Sequence, residues 1–347
     1  MMRIWPSISD DGAYNGRVKV TDIGEFGLIR RLRSYTGLEP PADLVVGIGD
    51  DCAVWRAGDQ CLLATTDTLV EGVHFIPDVA PWADVGWRVL AVNVSDIAAM
   101  GGEPLFALVT LALPGETSVD SIDALYAGLG ECATEYGVTV AGGDIVSAPQ
   151  VAVTVALIGR AQMRDGIPLL MRRDGARAGD VIAVTGTLGD SAAGLRRLRE
   201  GTPAADALVR AHLRPRTPLA LAQEAARLGV CCAIDVSDGL VQDIGHTCEM
   251  SRLGADVSAA DIPISPALRS AYPEEALALA CGGGEDYELV LVGEEHRITE
   301  LSDANPGALT VIGRMTERHS GRVRLLDSGG AEIDVDTRGW DHLRHDP

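Results

Sequence analysis

Five apolar segments of strand length in this chain border carboxylates that sit beside Gly, Ser or Thr. They are Asp50-Asp51 in "VVGIGDD", Asp67 in "CLLATTDTLV", Asp144 in "VTVAGGD", Asp235 and Asp238 in "CCAIDVSDGL", and Glu285-Asp286 in "GGGEDYELVL". In open α/β sheets the strands are covered by helices and ligands bind just beyond the strand ends, where the turns carry the polar groups. The pattern therefore predicts an α/β fold of α+β type, with mixed sheets, flanking helices and an acidic ligand-binding edge.

The spaces between these strands read as helices. Phe26, Ile29, Leu32 and Arg33 recur at helical spacing, as do Trp82, Val85, Val89 and Val92, a stretch that puts Asn93 and Asp96 on one face. Ile122, Leu125, Leu129, Cys132 and Tyr136 trace another stripe. "LFALVTLALP" is almost wholly apolar, which predicts a strand covered on both sides, and "VTVA" predicts a strand that stops at Gly142-Gly143-Asp144. A second half repeats the logic: strand "DVIAVTG", helices from Asp190 and Pro215, strand "VCCAIDV", a helix from Gly239 to Leu253, then "YELVLVG" and "ALTVIGRM". Both halves end on Ile-Gly-Arg, at 158–160 and 312–314, a hint of shared architecture. The polar, basic segment 161–178 marks the boundary. At 347 residues two domains are expected: 24–162 and 163–347, with 1–23 as an extension.

Fifty acidic against 29 basic residues argue against binding nucleic acid by phosphate neutralisation. No apolar run is long enough to span a bilayer, and "MMRIWPSISDDGAY" does not read as a secretory leader, so a cytoplasmic protein is expected. Seven cysteines without a C-x-x-C pair indicate neither a zinc knuckle nor a disulfide framework.

Crowded aspartates repel one another and take up protons unless cations are present. Hard oxygen donors without His or Cys partners select Mg²⁺ or Mn²⁺ over zinc, and Mg²⁺ is commonly shared with substrate phosphates. Metal-bridged phosphate chemistry follows. The rival reading is that single aspartates cap helices, as Asp238 or Ser237 could at Gly239. "TGTLGDSAAGL" opens a helix but lacks the Lys of a P-loop, and reads as a packing turn. His74 follows Asp67 by seven residues and could reach the same edge. Arg173 could clamp a phosphate bidentately or be a solvated surface residue.

Taken together and in order, "GIGDDCAVW", "TTDTLVEGVHF", "VNVSDIAAMGGEP", "GGDIV", "VTGTLGDSAAGL", "HLRPRTPLA", "IDVSDGL", "GGGEDYEL" and "RGWDHL" resemble the thiamine-monophosphate kinase family, from Gly24 to His342. That family belongs to the aminoimidazole-ribonucleotide-synthetase superfamily. The resemblance implies the two-domain synthetase-like fold, an N-terminal domain that binds ATP and Mg²⁺ and pairs in a homodimer, and Mg²⁺-dependent transfer of the ATP γ-phosphoryl to thiamine monophosphate. It implies that Asp51, Thr65, Thr66, Asp67, Asp96, Asp144, Asp235 and Asp238 bind several Mg²⁺ ions, with Asp67, Asp144 and Asp235 catalytic. It further implies nucleotide contacts at Tyr126, Gly143, Asp144, Arg173 and Ser237, and acceptor contacts at His74, Glu285 and Trp340.

A phosphate acceptor suits the residues present. Its oxygen is already ionised near neutral pH, the second pKa being about 6, so no general base is required and direct in-line transfer is expected. Other superfamily members make selenophosphate or mature hydrogenases, using a Cys near one end; here no Cys precedes Gly24 and the chain ends "HLRHDP". A non-catalytic regulator that binds the same ligands is the alternative from another class, and the eight oxygen-bearing positions show no decay toward it.

Overall fold

A computed structural model describes residues 18–35, 41–335, 339 and 343. Trp340 lies outside the described residues. The chain divides into two units. In the smaller one, helix α1 (Val20–Arg33) starts earlier than its apolar spacing suggests and is kinked at Gly24, whose φ of +67° suits a residue without Cβ.

The larger unit contains two six-stranded sheets. The first comprises β1 (Leu44–Val46), β2 (Ala53–Ala57), β3 (Gln60–Val70), β4 (Glu103–Leu113), β5 (Thr139–Ser147) and β6 (Ala152–Arg160) in the order β1-β2-β3-β6-β4-β5. All neighbours are antiparallel except β4 and β5. Helices α2 (Trp82–Ala99) and α3 (Val119–Tyr136) share one core with Leu63, Leu69, Val109, Leu111, Val153 and Val155. The alternate residues of β4 have no such cover: Phe106 is 47% and Leu108 43% exposed. The expectation of a strand covered on both sides is therefore wrong for β4, because α2 and α3 serve a single face of its sheet. Strand β5 does not stop at the glycines either; it runs on through Asp144 to Ser147.

After a hairpin of β7 (Gln162–Arg164) and β8 (Ile167–Leu169), the second sheet forms from β9 (Val181–Thr185), β10 (Cys232–Asp235), β11 (Gly254–Ser258), β12 (Leu289–Gly293), β13 (Leu309–Thr316) and β14 (Val323–Leu326). Its order is β10-β12-β9-β13-β11-β14. Strands β9, β10 and β12 are buried at every residue, with Ile182 and Val184 in one core and Val181 and Ala183 in another. This sheet is the one covered on both faces. The helices of this half are α4 (Asp190–Arg199), α5 (Ala207–Leu213), α6 (Leu219–Leu228), α7 (Leu240–Ser251), α8 (Pro266–Ala271), α9 (Ala276–Gly282) and α10 (Glu295–Ala304), of which α4 and α5 also send Leu198, Val209 and Leu213 into the first core.

Each sheet ends in one parallel pair, β4 with β5 and β11 with β14. The two Ile-Gly-Arg segments fall on β6 and β13, which hold the same place in the two strand orders. In both, the glycine lies against a neighbouring backbone: an added Cβ would sit 2.7 Å from the Glu103 carbonyl oxygen at Gly159 and 2.3 Å from that of Asp256 at Gly313. The repeat thus has a counterpart in topology.

Helix α2 joins the two halves. Its residues from Val85 to Ala99 are buried except Asp96, which is partly so, and while its middle packs in the first core, Ala98 and Ala99 pack with α6 and β12 of the second. Any polar side chain on such a helix must find partners inside the protein. Beside it, Trp87 donates its indole N–H to the Pro215 carbonyl at 2.9 Å, and the guanidinium groups of Arg214 and Arg216 lie 5.3 and 5.6 Å from its ring centroid. The "HLRPRTP" segment is therefore the clasp between the domains.

Candidate functional site

Three separate stretches deliver carboxylates to one point. Asp51 comes from the turn before β2, Asp96 from the last turns of α2 and Asp235 from the end of β10, and oxygens of all three lie within 4.8 Å of one another. The Thr65 hydroxyl donates to Asp96, and Ser95 donates to Asp235 at 2.7 Å. Burial pushes the Asp235 carboxyl up to about 7, helped by the charge of Asp51; Asp50 is likewise pushed up to about 7 by burial and then by Asp51. Asp96 is raised by burial and by Asp67, Asp235 and Asp51. One Asp51 oxygen is buried without a hydrogen-bond partner. A buried acceptor left open among like charges suits a cation.

Arg173 closes one side of the cluster. Its guanidinium is ion-paired with Asp51, and its backbone N–H lies 3.4 Å from both Asp50 oxygens. Burial opposes the charge on this guanidinium and the carboxylates of Asp51, Asp235 and Asp50 outweigh it, so Arg173 stands against the cluster rather than in open solvent.

Strand alternation sorts the β3 residues. Thr65 and Asp67 point to the face that α2 covers, and Asp67 acts electrostatically on both Asp96 and Asp235. Thr66 points to the opposite face, so its hydroxyl does not join theirs. Register carries the same distinction across the sheet. Asp67, Val155, Val109 and Gly143 form one row, and Thr68, Thr154, Thr110 and Asp144 the next. Asp144 therefore stands apart from the three-aspartate cluster, on an exposed edge strand, with its carboxylate accepting from the N–H of Ile145 at 2.9 Å. Gly143 has a structural reason of its own, since a Cβ there would lie 1.7 Å from the Val109 carbonyl oxygen. Tyr126, on α3, is 38% exposed.

The loops after β10 and before β12 are zipped together. The Val236 N–H donates to the Glu288 carbonyl at 2.8 Å, the Tyr287 N–H to the Val236 carbonyl at 2.9 Å, and the Glu285 N–H to the Ser237 carbonyl at 2.8 Å. Asp243, the third acid of "DVSDGLVQD", accepts the N–H groups of Ser237, Asp238 and Gly239 at 3.2, 3.2 and 3.0 Å. It shapes the turn. Asp238 stays at the mouth of that turn, with a carboxylate oxygen within 4.8 Å of one from Asp243 and a ring nitrogen of His246. Asp286 accepts from the N–H groups of Gly189 and Ser191 at 2.7 and 3.0 Å, so the donors at the start of α4 are already occupied and "TGTLGD" is a packing turn.

The reading of the sequence missed Arg88. It is 3% exposed in the middle of α2, ion-paired with Glu285, and donates to the His74 carbonyl at 2.9 Å. His212 lies 3.3 Å from the same guanidinium. A lone arginine in an otherwise apolar helical stripe was the available signal. His74 accepts the Val70 N–H on Nδ1 at 3.0 Å, which fixes its ring beside the end of β3.

Comparisons with known proteins agree with this architecture. Residues 49–161 match the N-terminal domain, and 177–326 the C-terminal domain, of AIR synthase related proteins. The thiamine-monophosphate kinase of Escherichia coli O157:H7 is 40% identical over 334 residues, covering 92% of this chain and 98% of the relative. That of Aquifex aeolicus is 34% identical, covering 94% and 100%. A solved structure of AaThiL complexed with AMPPCP and TMP has a TM-score of 0.82 at 33% identity, covering 94% of this chain and 99% of that one. With both domains matched and the likeness running nearly end to end, this chain belongs to the thiamine-monophosphate kinase family of AIR synthase related proteins.

Proposed function

We infer that this protein transfers the γ-phosphoryl group of ATP to thiamine monophosphate, giving thiamine diphosphate and ADP. The observation that carries the reading is the oxygen cluster of Asp51, Asp96 and Asp235, gathered from both halves of a chain of this family. The test is direct: pure protein with ATP, Mg²⁺ and thiamine monophosphate yields thiamine diphosphate and ADP in equal amounts. Binding of both substrates without product would support a regulator instead.

The cluster fits Mg²⁺, having only hard oxygen donors, an open buried acceptor and carboxyl groups that resist sharing charge. Asp51, Asp96 and Asp235 would hold it, with Asp67 and Thr65 beside them. Bound there, it would supply the positive charge that neutralises phosphate groups an acidic pocket would otherwise repel. Arg173 pairs with a nucleotide phosphate in this reading, Ser237 contacts the same end with Asp238 as a further metal ligand, and Tyr126, Gly143 and Asp144 serve the nucleotide from the sheet edge. His74 and Glu285, with Trp340, hold the acceptor. The chain's task is positioning, because the attacking phosphate oxygen is already ionised near neutral pH; transfer is direct.

A titration follows from this. Asp50, Asp235 and Glu288 are pushed up to about 7, and Asp286 to about 8, in each case chiefly by burial. Their folded-state values exceed the unfolded ones, so the stability they contribute is complete below about pH 4 and is lost as pH rises through about 7. His212 has the opposite sign, being lowered to about 3 by burial, and begins to destabilise only as pH falls through about 6.5. Between about pH 8.5 and 6.5 the carboxyls dominate, and the metal-free protein is expected to melt at a higher temperature at the lower pH. Because a cation must displace the protons, Mg²⁺ should raise the melting temperature more at the higher pH. Thermal melts with and without Mg²⁺ check both signs; an equal or larger Mg²⁺ effect at the lower pH contradicts them.

Two further assignments belong to this reading. The uncovered face of the first sheet, with Phe106, Leu108 and Val146 exposed and β5 as an open edge, supports a homodimer formed through the N-terminal domain, here residues 24–162. Sedimentation equilibrium returning a monomer mass would refute it. No helix among the described residues is long and apolar enough to cross a membrane, and all seven cysteines are free, which supports the cytoplasm as its compartment. Cell fractionation tests that.

A further inference from the structure

We propose that Arg88 is the positioning residue of the acceptor end of the site: one buried guanidinium on α2 ties the Glu285 carboxylate of the second domain to the His74 turn of the first. The proposal rests on the reading that Glu285 and His74 hold the acceptor. Neither residue is near the other in sequence, and α2 is the element common to both domain cores.

The donor geometry is specific. Arg88 Nη2 pairs with Glu285 Oε1, and Nη1 donates to the His74 carbonyl at 2.9 Å and to His212 Nε2 at 3.3 Å. A guanidinium can only donate, so His212 Nε2 must be the acceptor and the ring proton sits on Nδ1. That nitrogen lies 3.1 Å from Ser191 Oγ and 3.6 Å from Glu285 Oε2. Glu285 is thereby held through Oε1 by Arg88, while its Oε2 faces the neutral imidazole. Burial is the largest influence and would raise its carboxyl, but Arg88, foremost among the groups that lower it, acts with His212 and His74 to bring the carboxyl below its ordinary value.

The exposure of the pair shows the purpose of the grip. Arg88 is 3% exposed and Glu285 28%, so the cation stays inside while the carboxylate reaches out. Glu285 also sits at φ +68° and Tyr287 at +53°, conformations that L-residues avoid unless their surroundings impose them. Asp286 between them is pinned to the start of α4. A backbone held in so unfavourable a shape, with its carboxylate backed by a buried cation, presents that carboxylate in one direction. An ionised carboxylate suits a cationic ring in the acceptor.

Arg88→Lys tests this while keeping a charge opposite Glu285, because an ammonium cannot serve Glu285, His74 and His212 with the same fork. The expected result is a folded protein whose KM for thiamine monophosphate rises about tenfold while KM for ATP stays within about twofold, as suits a displaced binding group rather than general damage. Glu285→Gln should raise the same KM, and Arg88→Lys with Glu285→Gln should be no worse than Glu285→Gln alone, since Arg88 acts through that carboxylate. Should Arg88→Lys fail to fold, His212→Phe removes one acceptor of the guanidinium and should raise the acceptor KM about threefold with KM for ATP unchanged. Glu285→Gln raising the acceptor KM while folded Arg88→Lys or His212→Phe does not would overturn the role of Arg88 alone, as would effects of Arg88→Lys and Glu285→Gln that multiply. An unchanged acceptor KM in Glu285→Gln would overturn the assignment of Glu285 and this proposal with it.

Discussion

Asp235→Asn is expected to lower kcat by on the order of 10³-fold, at least the loss seen when one preorganised charge-stabilising group is removed from an active site, while the metal-free protein folds as before. The amide matches the carboxylate in size and can still accept the Ser95 hydroxyl that bonds Asp235 at 2.7 Å. What it cannot do is contribute a negative charge to the point where Asp51 and Asp96 converge. In the metal-free protein that loss relieves repulsion, since Asp235 is pushed up by burial and by Asp51, so the melting temperature should hold or rise slightly. Added Mg²⁺ should then stabilise the variant less than the parent. Steady-state kinetics and thermal melts provide the check; near-parental kcat would remove Asp235 from the catalytic machinery.

Gly128→Ala is expected to destabilise the fold by about 3 kcal/mol, at the upper end of the usual cost of overpacking a core. Helices α2 and α3 cross with backbone against backbone. A Cβ at Gly128 would stand 1.7 Å from the Ala83 carbonyl oxygen, and one at Gly86 1.8 Å from that of Leu125. Neither obstacle is a side chain that can rotate aside. The substitution gains about 1 kcal/mol of helix propensity, which is too little to offset parting the helices. Since α2 carries Arg88, Ser95 and Asp96, activity should fall along with stability. Denaturant unfolding measures the effect; a variant as stable as the parent would mean that the two helices do not cross this closely.

The legible parts of the site were those written in short-range pattern. Gly, Ser and Thr beside Asp at strand ends marked Asp51, Asp67 and Asp235, because a turn that exposes a carboxylate needs small neighbours within a few residues. The alternation of the sheets and the stripes of α2 and α3 were legible for the same reason. Periodicity gave no warning of Arg88, since it measures how apolar a helix face is and a single buried cation scarcely changes that. Thr66 and Asp144, which the family resemblance implies as ligands, stand apart from the three-aspartate cluster because a strand turns successive side chains to opposite faces. The one-sided cover of β4 was hidden because its outer face is nearly as apolar as its inner one. The short helices α5, α8 and α9 span under two turns each, too few for a period to register.

Asp51, Asp96 and Asp235 are expected to form one cation site between the two sheets. Crystals grown with Mn²⁺ and a non-hydrolysable ATP analogue, measured for anomalous scattering, test it most directly. A peak within about 2.5 Å of oxygens from these three side chains is expected, absent in Asp235→Asn. Analogue bound with no peak at these three residues would contradict it.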